Sequence, residues 1–391
     1  MDFLQDELIK LKHDSLLREL KLVQGPQEAK ITIDGRFFIN LSSNNYLGLC
    51  NDARLKNHAI EAINKYGLGV GASRLVCGSM MLHNELEKRI ASFKGFESAL
   101  VFNSGYSANL SLIPALAGRD DVVFSDRLNH ASIIDAVILS RAKLWRYPHV
   151  DMQALESFLK RAKRFRRRII ATDSVFSMDG DLAPLDKIVD LAERYDAYVF
   201  IDEAHATGVI GKSGRGAIEH FVIDSRRLIE MGTLSKALGS FGAYICGSSS
   251  LIDYLVNKAR GFIYTTALPV SLCAASLAAL DIVENDAYSL NQLRDNIVFF
   301  RQSLRSRGVK ISDDLTPIIP LLVGDAKKAL EFSERLFEQG IFVQAIRPPT
   351  VPEGTSRLRI TLTAAHTKRD LKFCLDKILT TAKKFGIITS V

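Results

Sequence analysis

The stretch Tyr198-Val-Phe-Ile-Asp202-Glu-Ala-His205 is an apolar, β-rich run that ends abruptly in a carboxylate and then an imidazole. Similar short runs recur at 99–102, 122–125, 169–174, 228–232 and 243–246, with amphipathic helical stretches between them. That alternation predicts an α/β fold: a largely parallel sheet with helices on its faces. Beyond residue 284 the pattern changes to a long polar helix, a run at 318–323, a helix over 326–338, strands at 341–345 and 358–362, and a last helix. This reads as a smaller α/β domain. Ahead of the first run, Phe3, Leu4, Leu8, Leu11, Leu16, Leu17 and Leu20 recur at roughly helical spacing, which predicts an amphipathic arm packed on a surface. The expected organisation is an arm and helix over 1–45, a large domain over 46–284 and a small C-terminal domain over 285–391.

A chain of 391 residues is long enough for two or three domains, and 47% hydrophobic with 24% charged residues is a globular balance that excludes a disordered chain. Its most apolar stretch, around 270–280, is broken by Ser271 and Ser276 and closed by Asp281, short of the ~20 residues a bilayer requires. No membrane partner is expected. The first twenty residues carry charges throughout, unlike a secretory or transit signal, so the expected setting is cytoplasmic. Cys50, Cys77, Cys246, Cys273 and Cys374 are scattered and read as reduced thiols, and no His/Cys cluster has metal-ligand spacing. The net charge of +7 favours anionic partners such as phosphates, coenzyme A or nucleic acid without choosing among them. The basic run Arg161-Ala-Lys-Arg-Phe-Arg-Arg-Arg168 is either a solvated helix end and loop or a patch for nucleic acid or an acidic ligand.

Parallel α/β sheets bind ligands at the carboxyl ends of their strands, and four such ends carry polar residues. Asp202 follows an apolar run directly, so burying it requires a facing cation or strong donors; alternatively it is a helix N-cap beside a solvent-facing His205. Lys236, in Thr233-Leu-Ser-Lys236-Ala-Leu-Gly239, sits among small and apolar residues that suit a Schiff-base lysine, because partial burial favours the neutral, nucleophilic amine. A lysine snorkelling to water is the alternative. Asn103-Ser-Gly105-Tyr106-Ser-Ala-Asn109 runs through a glycine turn into a helix start, where unpaired N–H groups make an anion site. Thr233, Thr265 and Thr266 could add donors for a phosphate there. The fourth end, at Ser125–His130 by position 125–130, places His130 after a strand, where a lone histidine is as readily structural. A candidate Schiff-base lysine, a buried carboxylate able to face a protonated pyridine nitrogen, and a phosphate turn are together what pyridoxal phosphate (PLP) demands of a protein. Gly67-Leu-Gly-Val-Gly71 lacks the context of a dinucleotide site, and no Walker lysine is present.

The chain resembles the α-oxoamine synthases, PLP-dependent transferases of fold type I that join an amino acid to an acyl thioester with loss of carbon dioxide. The resemblance runs over nearly the whole length, through Ser42-Ser-Asn-Asn-Tyr-Leu-Gly-Leu49, Gly69-Val-Gly-Ala-Ser-Arg74, Ser104-Gly-Tyr106, Asn129-His-Ala-Ser132, Ser177-Met-Asp-Gly-Asp181, Asp202-Glu-Ala-His-Ala-Thr-Gly208 and Thr233-Leu-Ser-Lys236. It implies that the large domain binds the cofactor. Lys236 would hold PLP as a Schiff base and act as base at the amino-acid Cα; Asp202 would face the pyridine nitrogen; His205 and Ser177 would bond its phenolic oxygen; His130 would stack on the ring and approach substrate. Gly105, Tyr106 and Thr233 would hold the phosphate, joined by Thr265 and Thr266 from the other subunit of a homodimer with shared active sites. Arg359 would bind the amino-acid carboxylate, with Thr350 and Arg18 also at substrate.

Phe262-Ile-Tyr-Thr-Thr-Ala-Leu-Pro269, and Ala345-Ile-Arg-Pro-Pro-Thr-Val-Pro352 leading into Arg357-Leu-Arg-Ile-Thr-Leu-Thr-Ala-Ala-His366, resemble the branch that uses L-alanine and a pimeloyl thioester. That thioester rides on coenzyme A or a carrier protein. Val270, where a second proline is expected, departs from the pattern. The alternatives are a branch that joins glycine to acetyl-CoA, and a non-catalytic protein on the same fold, such as a nucleic-acid binder using the basic run. Lys236, Asp202 and His205 together argue against the last.

Overall fold

The computed structural model describes residues 2–387, and the chain divides into two compact units. The larger comprises Leu49–Ser177 and Asp181–Ala287. Its centre is a seven-stranded sheet of β1 (Ser98–Phe102), β2 (Val122–Asp126), β3 (Lys143–Tyr147), β4 (Arg168–Asp173), β5 (Tyr198–Asp202), β6 (Leu228–Thr233) and β7 (Ala243–Gly247). The spatial order is β1-β7-β6-β5-β4-β2-β3, parallel throughout except for β7, which is antiparallel to both neighbours.

Every residue of β2, β6 and β7 is buried, as expected of strands covered on both faces, and this is why those runs are continuous rather than alternating. Helices α1 (Gly105–Leu116) and α2 (Ala131–Ser140) lay Leu112, Ile113, Ile133 and Val137 on one such face, against Val123, Ala171 and Phe200. The sequence gives no run for β3. Its Lys143 and Arg146 lie exposed on the sheet edge, where charges discourage pairing with another chain and erase the apolar signature. The carboxyl ends of β2, β4, β5 and β6, which are neighbours in the sheet, finish in Asp126, Asp173, Asp202 and Thr233.

The other unit comprises Met1–Gly48, Met178–Gly180 and Tyr288–Val391. An antiparallel sheet of Ile318–Gly324, Ser356–Thr361 and Ala345–Ile346 is accompanied by helices Ala326–Glu338 and Lys368–Lys384. A second sheet joins Val23–Gln24, Lys30–Ile33, Arg36–Asn40 and Ile341–Phe342. The strand expected over 341–345 is therefore two short strands: Ile341–Phe342 pairs in parallel with Arg36–Asn40, and Ala345–Ile346 turns to pair with Ser356–Thr361. The amphipathic arm is also shorter than its periodicity suggests. Its helix spans Asp2–His13 and stops at Ser15, whose φ of 57° cannot continue a right-handed helix. Phe3, Leu8 and Ile9 lie exposed in this chain rather than packed. Among the described residues no helix is long and apolar enough to cross a membrane.

Candidate active site

Lys236 lies in the turn after β6 and His205 in the turn after β5, and the adjacency of these strands brings Lys236 Nζ within 3.0 Å of His205 Nε2. Lys236 is half-buried among the fully buried Leu234, Ala237 and Leu238. Asp202, at the tip of β5, is buried. One of its oxygens accepts from the backbone N–H of Ala204 at 2.9 Å, the other from Asn109 Nδ2 at 2.9 Å. Asn109 is on α1, and its Nδ2 also donates to Ser132 Oγ at 2.8 Å, which is 2.7 Å from His130 Nδ1. A continuous hydrogen-bonded path thus joins Asp202 to His130, which caps α2.

Asp173 ends β4 and stands in register opposite Asp202. Its carboxylate accepts from the His130 backbone N–H at 2.7 Å. Burial, reinforced by the charge of Asp202, pushes its pKa well above the usual carboxylate range. Burial also pulls the His130 pKa down, more than the nearby Asp202 raises it, which favours a neutral imidazole.

The glycine turn lies beside β6. A Cβ built on Gly105 would stand 2.9 Å from Thr233 Cγ2, so only glycine lets the start of α1 approach this strand end closely. Ser104 caps the helix, accepting from Ser107 N–H at 3.2 Å. Tyr106 points an exposed ring edge-on to His130, with centroids 6.4 Å apart, and its hydroxyl bonds Asp135. Thr265 Oγ1 accepts from Asn103 Nδ2 at 3.2 Å and the Thr266 carbonyl from the same amide at 3.0 Å, so both threonines stand beside the residue that leads into this chain's own glycine turn. Ser177 is half-buried in the loop after β4. An amine beside an imidazole, a buried carboxylate on strong donors, and a close-packed helix start are a donor set that fits PLP, with groups matched to its aldehyde, ring nitrogen and phosphate.

Three residues at these strand ends escape the sequence reading. Asn109 and Asp173 join Asp202 through space from two other segments. The signal available for Asp173 is that the run 169–173 ends in a carboxylate just as 198–202 does. The third is His149, whose Nδ1 is 3.0 Å from Asp126 and whose Nε2 is 2.7 Å from Asp181. It ties the loop that leads to His130 to the loop that follows Ser177. Burial alone would lower its pKa, but the two carboxylates overcome this and raise it to about 10. A histidine raised above its ordinary 6.5 stabilises the fold fully below that value and loses the contribution as pH climbs to its folded value. The stability advantage of the wild type over His149→Asn, measured by urea unfolding, is therefore expected to be largest below pH 6.5 and to shrink towards pH 10. The slope should not exceed about 1.4 kcal/mol per pH unit. A difference that stays constant over this range would remove the doubly paired imidazolium from the account.

Arg359, Thr350 and Arg18 belong to the other unit. Arg359 is buried on Ser356–Thr361, where it donates to Thr361 Oγ1 at 3.2 Å and Asn44 Oδ1 at 3.1 Å. Thr350 is exposed, and exposed Arg18 donates to the Pro348 carbonyl at 3.2 Å. In the basic run, Arg166 forms a two-pronged pair with Asp121 at 2.8 and 3.0 Å, Arg168 pairs with Asp196 at 2.9 Å, and Arg161 covers the Trp145 ring at 5.7 Å. Arg161 and Arg166 fasten the side of the sheet near β3, and Arg168 the start of the interior strands β4 and β5, which favours the structural reading of the run.

The family model for class I and II aminotransferases matches residues 37–378. The 8-amino-7-oxononanoate synthase of Geobacter sulfurreducens is 50% identical over 384 residues, covering 98% of both chains. Among solved structures, a high-resolution structure of SPT with PLP internal aldimine superposes with a TM-score of 0.93 at 28% identity, over 99% of this chain and 98% of that one. The 8-amino-7-oxononanoate synthase of Francisella tularensis does so with a TM-score of 0.78 at 33% identity, over 89% of this chain and 98% of that one. The chain belongs to the class I and II aminotransferase family, in its α-oxoamine synthase branch.

Proposed function

We propose that this chain catalyses the PLP-dependent decarboxylative condensation of L-alanine with a pimeloyl thioester to 8-amino-7-oxononanoate, a step of biotin synthesis. The observation that carries the reading is the Lys236 amine 3.0 Å from His205 beside the buried Asp202, in a chain matching 8-amino-7-oxononanoate synthases end to end. Bound through its aldehyde, PLP supplies an electron sink for the bond cleavages at the amino-acid Cα.

The chain's own groups do the rest. Lys236 Nζ takes the proton from Cα. Asp202 holds a proton on the ring nitrogen, and its two donors keep the carboxylate oriented for that task. His205 and Ser177 would bind the phenolic oxygen; His130 would stack on the ring and approach the substrate. Gly105, Tyr106 and Thr233 bind the phosphate at the start of α1. Arg359 presents a planar fork suited to the alanine carboxylate, already held in orientation by Asn44 and Thr361, and Thr350 and Arg18 would also contact substrate. The free cysteines support a reducing, cytoplasmic setting.

Product mass spectrometry with alanine, serine or glycine against pimeloyl-, acetyl- and palmitoyl-CoA tests the reading. The alanine–pimeloyl product should dominate; a dominant glycine–acetyl product would transfer the chain to the sister activity.

The same proposal includes a homodimer in which Thr265 and Thr266 reach the phosphate of the partner's cofactor. Hydrogen bonds to a charged group contribute roughly 1.5–3 kcal/mol each, so Thr265→Val/Thr266→Val should weaken PLP binding at least ~10-fold. If instead these threonines serve only the Asn103 contacts of their own chain, a mixed dimer with Lys236→Ala chains distinguishes the cases. Shared sites concentrate both defects in one site and leave the other intact, so activity rises above either parent. No recovery despite verified subunit exchange rejects the shared site.

A further inference from the structure

Behind the turn that carries His205 lies a cluster to which the reaction assigns no task. Lys94, the last residue of the helix Met81–Lys94, and the carboxylates of Glu203 and Glu230 have almost no exposed side-chain surface. Lys94 Nζ donates to Glu203 Oε2 at 3.1 Å, to Glu230 Oε1 at 2.8 Å and to the Arg215 carbonyl, so all three ammonium donors are used without water. The other oxygen of Glu203 accepts from the backbone N–H groups of Ala217 and Ile218 at 2.8 and 3.2 Å. A Cβ on Gly216 would fall 1.5 Å from Glu203 Oε2, so the backbone closes down on this carboxylate as only glycine permits.

The cluster touches both arms of the candidate site. Glu203 stands between Asp202 and His205, while Glu230 is on β6, the strand that leads to Lys236. A second bridge runs parallel to the first: the Tyr244 hydroxyl lies 3.3 Å from Glu230 Oε1 and 2.8 Å from Thr207 Oγ1, just beyond His205. Two cross-links thus fasten the turn at 203–207 to β6, one ionic and one through hydroxyls.

We propose that Lys94 and Glu230 are positioning residues, which hold the turn bearing Asp202 and His205 in register with the strand bearing Lys236 and so set the spacing of the Lys236 and His205 side chains. Two carboxyls and one ammonium would leave a buried net charge, which is costly unless one carboxyl keeps a proton. Burial pushes Glu230 up to about 8, against the opposing pull of Lys94, so at neutral pH Glu230 carries its proton. The titratable groups facing it are Lys94, Glu203, Tyr244 and Cys246.

An uncharged Glu230 makes the proposal testable without changing the local charge. Glu230→Met removes the tie to β6 while the Lys94–Glu203 pair stays intact, and Glu230→Gln restores an acceptor of the same shape. The proposal rests on Lys236 being the residue that carries PLP, and the readout is the pH titration of the visible absorbance of that lysine–cofactor linkage in the holoenzyme, with the PLP dissociation constant of the cofactor-free protein as a second measurement. With PLP bound, His205 donates to the phenolic oxygen, which disfavours a proton on the adjoining lysine–cofactor linkage, so displacement of His205 in Glu230→Met should raise the titration midpoint by about one pH unit or more and weaken PLP binding. Glu230→Gln should return both values towards wild type. Should Glu230→Met fail to fold, Lys94→Met/Glu203→Gln, which also conserves net charge, must show the same raised midpoint. A merely structural cluster would lower the melting temperature but leave the folded fraction with the wild-type midpoint and affinity, and that result overturns the proposal. Absence of a pH-sensitive visible band in the wild type itself would instead overturn the reading of Lys236.

Discussion

Lys236→Ala is expected to abolish condensation, with turnover down about 10⁴-fold or more, and to remove the visible absorbance of the PLP-loaded protein. General base catalysis alone is worth up to roughly 10⁴-fold, and this substitution deletes the covalent anchor as well. The loss should be local. Lys236 is half-buried in a turn whose packing rests on Leu234, Ala237 and Leu238, all of which remain, so the melting temperature should change little. His205 stands 3.0 Å from the deleted amine but cannot take over the linkage, since an imidazole forms no stable imine with an aldehyde. The decisive measurement is borohydride reduction followed by peptide mapping. In the wild type the reduced cofactor should map to Lys236, and in Lys236→Ala no peptide should carry it. A retained adduct would reassign the linkage to another lysine.

The parts of the molecule that were legible in the sequence share a physical cause. Strands such as β2, β5 and β6 are buried on both faces, so their residues form unbroken apolar runs, and the polar residue ending each run marks the carboxyl edge where ligands bind. Asp202, His205 and Lys236 could therefore be singled out one strand at a time, and the family motifs supplied expected roles for them. What stayed illegible is contact between segments distant in sequence. Asn109 meets Asp202 across 93 residues, and Lys94 meets Glu203 across 109. No local period encodes such pairs. Edge strand β3 was hidden by its charges, and the split of 341–345 between two sheets by the brevity of both pieces. The helix stop at Ser15 depends on one left-handed dihedral, which apolar spacing does not report.

Asp202→Asn removes a charge while preserving shape, and its expected cost comes from two sources. The first is hydrogen bonding. One oxygen of Asp202 accepts from Asn109 Nδ2 and the other from the Ala204 N–H, so whichever way an asparagine amide is turned, its NH₂ group meets a donor. A buried donor left without an acceptor costs about 1–3 kcal/mol, which should lower the melting temperature by several degrees without preventing folding. The second is the proton on the ring nitrogen. An opposite charge shifts a neighbouring pKa by ~1–3 units, so loss of the carboxylate should cut the protonated fraction, and with it turnover, by up to about 10³-fold at neutral pH. Asp173 adds a signature to this loss. Its pKa is held up by burial and by the charge of Asp202, and neutralising residue 202 removes the second of these. Asp173 then ionises at a lower pH than in the wild type and places a carboxylate opposite residue 202, in register on the neighbouring strand. Residual turnover of Asp202→Asn should consequently rise with pH relative to wild type, and Asp202→Asn/Asp173→Asn should lack that rise. Near-normal turnover of the single variant at neutral pH would remove Asp202 from its role at the ring nitrogen, because a neutral amide on the same backbone would then suffice.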